Sequence, residues 1–170
     1  MKRAAYLRRL RKLICAYGSD NIIYFDESGF EEDVRRDAGW AERGTKIYSD
    51  VRGGKNLRTN LIMAQRRKSK KWLAPILFNG ACEGTTVLWW ISEYLLATLS
   101  KPSVIVMDNA PFHPKAKIKA LLEKHGHKLL CLPQYSPDLN PIENTFAALK
   151  SNWKHAQKNI TLDTIVTSNC

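Results

Sequence analysis

The period at which apolar residues recur changes near residue 80, and the two halves predict different elements. In the first half, Leu7, Leu10 and Ile14 recur at helical spacing between Met1 and about Tyr17. That segment also carries Lys2, Arg3, Arg8, Arg9, Arg11 and Lys12 and no acid. The pattern predicts an amphipathic basic helix, set apart from the rest as an appendage. Gly18-Ser19-Asp20 breaks it, and Asn21-Ile22-Ile23-Tyr24-Phe25-Asp26 reads as a strand of β-formers that ends at Asp26. Residues 31–44, rich in both signs of charge, predict a surface excursion. Residues 45–51, the turn Arg52-Gly53-Gly54-Lys55 and residues 57–64 predict a hairpin. A strongly basic turn, Arg66-Arg67-Lys68-Ser69-Lys70-Lys71, leads into a further strand over 72–78.

After Asn79-Gly80 the spacing becomes helical. Thr85 or Thr86 is positioned to cap a helix running through Trp89, Trp90, Tyr94 and Leu95 to about Leu99, and Lys101-Pro102 ends it. Ser103-Val104-Ile105-Val106-Met107-Asp108 is nearly all apolar, as expected of a strand covered on both faces. Pro114 opens a helix to about Lys124. Residues 128–132 form a second buried strand stopped by Pro133. Beyond the loop 134–140, Pro141 opens a long helix through Leu149 and Trp153. The tail from Thr161 to Cys170 begins with a further capping residue. Three antiparallel strands followed by helix–strand–helix–strand–helix make an α/β fold with a mixed sheet. The expected organisation is a basic linker helix over 1–19, one catalytic-size domain over 20–158 and a short tail over 159–170.

Composition narrows the partner. The 170 residues hold 27 Lys plus Arg against 16 Asp plus Glu, a net charge of +11. Such an excess favours a polyanion: nucleic acid first, an anionic membrane surface second. No apolar run reaches the eighteen or so residues that span a bilayer. Cys15, Cys82, Cys131 and Cys170 include no closely spaced pair, which argues against structural zinc and for a reducing, cytoplasmic setting. Cys131 reads as a buried small hydrophobe. His125 and His127 flank Gly126 and read as a solvated helix end rather than a metal site.

Three carboxylates stand where chemistry gathers. Asp26 and Asp108 end strands, and ligands in α/β sheets collect at the carboxyl ends of strands. Glu143 lies in the first turn of the Pro141 helix, where the helix dipole keeps a carboxylate ionised. Neighbouring carboxylates raise a pKa or recruit a cation. Magnesium accepts one or two carboxylates together with water and phosphate oxygens. Two such ions activate water and stabilise the leaving oxygen of a phosphodiester. Each residue also has a structural reading. Asp26 suits a turn with Ser28-Gly29, Asp108 a turn with Asn109-Ala110-Pro111, and Glu143 a capping box with Asn140. His113 either orients a phosphate or water or caps the Pro114 helix. Glu27 is expected on the opposite face of its strand from Asp26.

Three blocks carry a resemblance. They are Tyr24-Phe25-Asp26-Glu27-Ser28-Gly29-Phe30, Val106-Met107-Asp108-Asn109-Ala110-Pro111-Phe112-His113, and the run Leu132-Pro133-Gln134-Tyr135-Ser136-Pro137-Asp138-Leu139-Asn140-Pro141-Ile142-Glu143. Together they resemble the signature blocks of bacterial insertion-sequence transposases of the Tc/mariner superfamily. The 34 residues between Asp108 and Glu143 match that Asp-Asp-Glu family's spacing, and Gly39-Trp40-Ala41-Glu42-Arg43-Gly44 resembles a further family element. The similarity covers about residues 20–158.

The resemblance implies a ribonuclease-H-like five-stranded sheet, three antiparallel strands and then two parallel ones. It also implies two Mg2+ (or Mn2+) ions per active site on Asp26, Asp108 and Glu143, with Asn109 and His113 as accessory candidates. The implied reaction nicks the ends of an element and joins the freed 3′-hydroxyl to target DNA. Expected partners are double-stranded DNA, with insertion at TA dinucleotides, and a second copy of the chain in a homodimer. The expected location is the bacterial cytoplasm, on the nucleoid. Backbone-tracking cations are Arg8 and Arg9; Arg66, Arg67, Lys68, Lys70 and Lys71; and Lys115, Lys117 and Lys119. Family members carry helix-turn-helix modules ahead of this domain, and residues 1–17 are too few for one, so the resemblance implies a catalytic half with its recognition part missing or encoded in another frame. The rival expectations are a ribonuclease-H-like nuclease without strand transfer, and a DNA-binding remnant that does not catalyse.

Overall fold

The computed structural model describes residues 2–31, 42–44, 58–156 and 160–168. The arm 45–51 of the predicted hairpin, its turn, most of the excursion 31–44 and the first three residues of the Gly39–Gly44 element lie outside the described residues.

Helix α1 (Arg3–Tyr17) precedes strands β1 (Ile22–Glu31), β2 (Arg58–Arg66) and β3 (Trp72–Asn79). Helix α2 (Gly84–Trp90) runs on through one wide turn and one tight turn to Thr98. Then come β4 (Val104–Met107), α3 (Lys115–Lys124), β5 (Lys128–Cys131), α4 (Ile142–His155) and α5 (Leu162–Thr167). The strands form one sheet in the order β3-β2-β1-β4-β5. β2 pairs antiparallel with β1 and with β3, whereas β4 pairs parallel with β1 and with β5. This is the mixed five-stranded sheet that the pattern and the resemblance predict.

The sheet is buried on both faces, and strand alternation sorts its residues between two cores. Ile22, Tyr24, Val104 and Val106 face α1, α4 and α5 with Tyr6, Ile142, Phe146 and Val166. Ile23, Phe25, Ile105 and Met107 face α2 and α3 with Trp90, Leu95, Ile118 and Leu122.

Several expectations need correction. α1 is no appendage. Tyr6 is fully buried in the first core, with Leu10 beside it and Leu13, Ile14 and Tyr17 packed against it, while Leu7 points outward. Of the predicted stripe, Leu10 and Ile14 pack into the core and Leu7 does not, and the anchor is the aromatic Tyr6. β1 does not stop at Asp26. Its ladder with β2 continues to Glu31↔Arg58, so Ser28-Gly29 is strand rather than turn. The space beside Gly29, where a Cβ would stand, is taken by the Arg58 guanidinium. Neither Thr85 nor Thr86 caps α2, whose N-cap is Glu83 and has no side-chain cap. His125 ends α3 and its Nδ1 lies 2.9 Å from the Leu121 carbonyl. His127 is buried, and its Nδ1 accepts the Ser103 amide N–H at 3.2 Å. Cys131 is only partly buried. In the tail, Thr161 Oγ1 accepts the Thr164 N–H at 3.2 Å, and α5 buries Leu162 and Val166. Among the described residues no helix is long and apolar enough to cross a membrane.

Candidate active site

Two rules of strand geometry bring Asp26 and Asp108 together. Residues two apart share a face, so Asp26 follows Ile22 and Tyr24 toward α4, and Asp108 follows Val104 and Val106 the same way. The parallel ladder pairs Ile22↔Val104 and Tyr24↔Val106. The same offset carried two residues further sets Asp26 level with Asp108. α4 packs across this face through Ile142 and Phe146, which delivers Glu143 from its first turn. All three carboxylates line one open cavity of about 390 Å³, walled by Asn109, Pro111, Gln134, Tyr135 and Asn140 among others.

Asp26 sits within a strand yet is held at both oxygens. Oδ1 accepts the Glu27 backbone N–H at 2.8 Å, and Oδ2 accepts Asn140 Nδ2 at 2.9 Å. Burial pushes its carboxyl up to about 8; the Glu27 N–H opposes this, and the charges of Glu27, Glu143 and Asp108 add to it. Asp108 behaves in the opposite way. Burial raises its pKa, but hydrogen bonds from His113 and the Ala110 N–H, with the charges of His113 and Lys115, together hold it below the ordinary carboxylate value.

Asn140 is the residue sequence reasoning missed. Its spacing to Glu143 reads as a capping box, but the N-cap of α4 is Pro141, without a side-chain cap, and the Asn140 amide turns to Asp26 instead. It is 3% exposed, and its Oδ1 has no hydrogen-bond partner within the chain. Only the chain crossing between the β5–α4 loop and β1 creates this contact.

His113 caps nothing. It is buried beneath Phe112, with Nε2 3.1 Å from Asp108 Oδ1 and 4.0 Å from Glu27 Oε2. Glu27 lines a different cavity from Asp26, with Cys82 and Phe112, and so lies on the opposite face, as alternation requires. Burial raises its pKa, the His113 charge opposes this, and the Asp108 charge adds to it. Cys82 beside it is pushed up to about 12 by burial and by the Glu27 charge. Asn109 Oδ1 accepts Lys115 Nζ at 2.6 Å, which ties that lysine to the cavity wall rather than to the outer surface.

The other basic candidates divide. Arg8, Arg9, Lys68, Lys70, Lys71 and Lys117 are exposed. Arg66 donates to the Asp20 carbonyl at 2.9 Å and Arg67 to Ser19 Oγ at 2.8 Å, so both brace the β2–β3 turn. Lys119 pairs with Glu123 one helical turn on, at 3.8 Å. Arg3, on α1, grips the wall of the cavity, with a two-pronged ion pair to Asp138 and a 3.2 Å hydrogen bond to Ser136. At the cavity mouth Tyr135 is 98% exposed with a left-handed φ of 52°.

The donor set suits a hard divalent cation. It consists of carboxylate oxygens, with the Asp26 carboxyl raised chiefly by burial and further by its acidic neighbours, a charge that a cation would offset, beside an unpartnered amide oxygen. Among the described residues no three His, Cys, Asp or Glu side chains close around a single point. Magnesium does not require that, since one or two carboxylates with water and phosphate oxygens suffice.

Comparison with known proteins shows the family and the fold. The family model described as DDE superfamily endonuclease matches residues 21–166. The uncharacterized protein y4pE/y4sA of Sinorhizobium fredii is 34% identical over 68 residues, 40% of this chain and 48% of that protein. Among solved structures, the Mos1 strand transfer complex superposes with a TM-score of 0.74 at 17% identity, over 98% of this chain and 51% of that one. The catalytic domain of Mos1 mariner transposase superposes at 0.64 and 14% identity, over 98% and 76%. The chain thus spans about half the length of the first relatives it matches. From the match over most of its length, the chain belongs to the DDE superfamily endonucleases, and its fold is of the mariner transposase type.

Proposed function

We propose that this domain nicks DNA at the ends of a mobile element and joins the resulting 3′-hydroxyl to target DNA, with Asp26, Asp108 and Glu143 as the metal-holding residues. The observation that carries this reading is the meeting of those three carboxylates in one open cavity, from β1, the end of β4 and the first turn of α4. Two Mg2+ or Mn2+ ions bound there supply Lewis-acid stabilisation of the attacking and leaving oxygens and make water nucleophilic at neutral pH. The chain's own residues do the holding. Asn140 and the Glu27 N–H fix both oxygens of Asp26, and His113 with the Ala110 N–H fixes Asp108. Lys115 anchors Asn109 on the wall. In the first step water adds to phosphorus as the P–O3′ bond breaks, leaving a 3′-hydroxyl and a 5′-phosphate; in the second, that hydroxyl forms a new ester with a target phosphorus as the target's P–O3′ bond breaks and releases a target 3′-hydroxyl. The working assembly is a homodimer on element ends and a TA target, acting on the bacterial nucleoid. The catalytic unit is residues 20–158 together with α1 and α5, which pack into the same core beneath the sheet.

The test is Asp108→Asn. It is expected to abolish Mg2+-dependent nicking of element-end duplex while leaving duplex affinity intact, and nicking that survived would remove Asp108 from the chemistry. Pre-nicked ends supply the second arm. Joining to target marks a transposase, whereas nicking without joining marks a nuclease.

A further inference from the structure

A second groove opens one helical turn from Glu143, between α4 and the β2–β3 hairpin. It has a volume of about 460 Å³, the size range of ligand sites, and is lined by Gln65, Lys70, Trp72, Asn144, Ala148 and Asn152 among others. Residues 144, 148 and 152 are four apart, so α4 presents them on one face: an amide, a small gap and a second amide. Among the described residues that line this groove there is no carboxylate, in contrast to the acidic cavity beside it. From the hairpin come a half-buried tryptophan and the exposed Lys70, and Lys68 and Lys71 are exposed in the same turn.

The groove is built rather than incidental. Gln65 is 4% exposed; its Nε2 donates to the Lys70 carbonyl at 3.2 Å and its Oε1 accepts from Thr145 Oγ1 at 3.1 Å. This buried amide ties the hairpin to α4 and sets the width between them. Lys70 is held at a left-handed φ of 59°. Ser69 N–H, bonded to Asp20 Oδ1 at 2.9 Å, and the Arg66 and Arg67 contacts brace the rest of the turn. Side-chain amides and a lysine donate to phosphate oxygens, and an aromatic face stacks on a base or sugar without sequence preference.

We propose that this groove binds one strand of the DNA substrate a few nucleotides from the reacting phosphate, as a neutral-to-basic track continuous with the acidic cavity. Pro141 and Asn144 line the groove and flank Glu143, which lines the cavity, so the start of α4 borders both. The inference rests on the reading of the cavity as a DNA-cleaving site.

The experiment uses the full chain with Ca2+ and two labelled probes, a short duplex and the same duplex with a single-stranded 3′ overhang, followed by fluorescence anisotropy across a salt series. Ala148→Glu places a carboxylate on an exposed helical position with good helix propensity, and the expected result is about a tenfold loss of affinity. Asn152→Lys is expected to tighten binding, and Lys70→Ala to lower the salt slope by about one counterion. Wild-type affinity retained by Ala148→Glu, with an unchanged thermal melt, would overturn the groove while leaving the cavity reading intact. No DNA binding by the wild-type chain would overturn both. As a check independent of folding, Asn152→Cys is expected to crosslink by thiol–disulfide exchange to an oligonucleotide carrying a pyridyl disulfide, with release of the pyridinethiol, and Lys101→Cys is not.

Discussion

Asn140 donates from Nδ2 to Asp26 Oδ2 at 2.9 Å, across 114 residues of sequence, and this one bond links the β5–α4 loop to the middle of the central strand. It holds the Asp26 oxygen that the Glu27 N–H does not reach, so the carboxylate is fixed at both oxygens. We expect Asn140→Ala to weaken Mn2+ binding and slow nicking by about 10–100-fold, the range for residues that orient metal ligands. Asn140→Gln, which restores an amide at a different reach, should recover part of the metal affinity. Calorimetric Mn2+ titration checks this, and equal affinity in the alanine variant would make the contact merely structural.

Asp26 should make the metal-free protein less stable as pH rises. Its folded pKa is raised from 3.8 to about 8, so its favourable contribution is complete below 3.8 and is lost as pH climbs toward 8. At neutral pH the loss is on the order of 4 kcal/mol. Asp26→Asn in the presence of chelator should therefore resist urea better than wild type at about pH 8, with the two converging near pH 4. Parallel curves would show that the carboxyl titrates normally.

His127 works at the acidic end. Burial first, and the His125 charge second, lower its pKa below 6.5, and its Nδ1 must stay unprotonated to accept the Ser103 N–H. The contribution is present above 6.5 and lost as pH falls through the lower folded value. His127→Gln keeps an acceptor without the titration, so its melting temperature should fall less than that of wild type between about pH 7 and about pH 5.

Tyr135 spends backbone strain on exposure. A non-glycine residue at a φ of 52° costs roughly 1–2 kcal/mol, and no described residue covers its ring, which is 98% exposed. Tyr135→Gly relieves that strain but adds about 0.5–1 kcal/mol of unfolded-state entropy, so stability should hold or rise slightly. Affinity for DNA should fall by about 1–3 kcal/mol, the worth of one stacked base. Loss of stability with unchanged affinity would assign the ring a structural role.

The clearest sequence signals were those carried by local periodicity. Alternation in Ile22–Asp26 and Val104–Asp108 decides which face each aspartate takes, because the side-chain period of a strand is two whatever the partner. The Pro141 helix start places Glu143 in a first turn for an equally local reason. The length of β1 was not legible. A strand end depends on where its neighbour's ladder stops, and β2 continues to pair as far as Glu31. Nor was the burial of α1, since Tyr6 counts as a core residue only once the sheet face beneath it exists.

By itself, then, the sequence determined a basic α/β domain with three carboxylates at chemically suggestive positions, because composition, spacing and side-chain parity are properties of the chain. Tertiary structure alone decided the rest: Asn140 turns from its helix to Asp26, Glu27 and His113 meet behind Asp108, and the Arg66–Lys71 turn splits into braces and exposed cations. A polar side chain chooses among competing partners by what lies within hydrogen-bond reach after packing, and only the fold sets that reach.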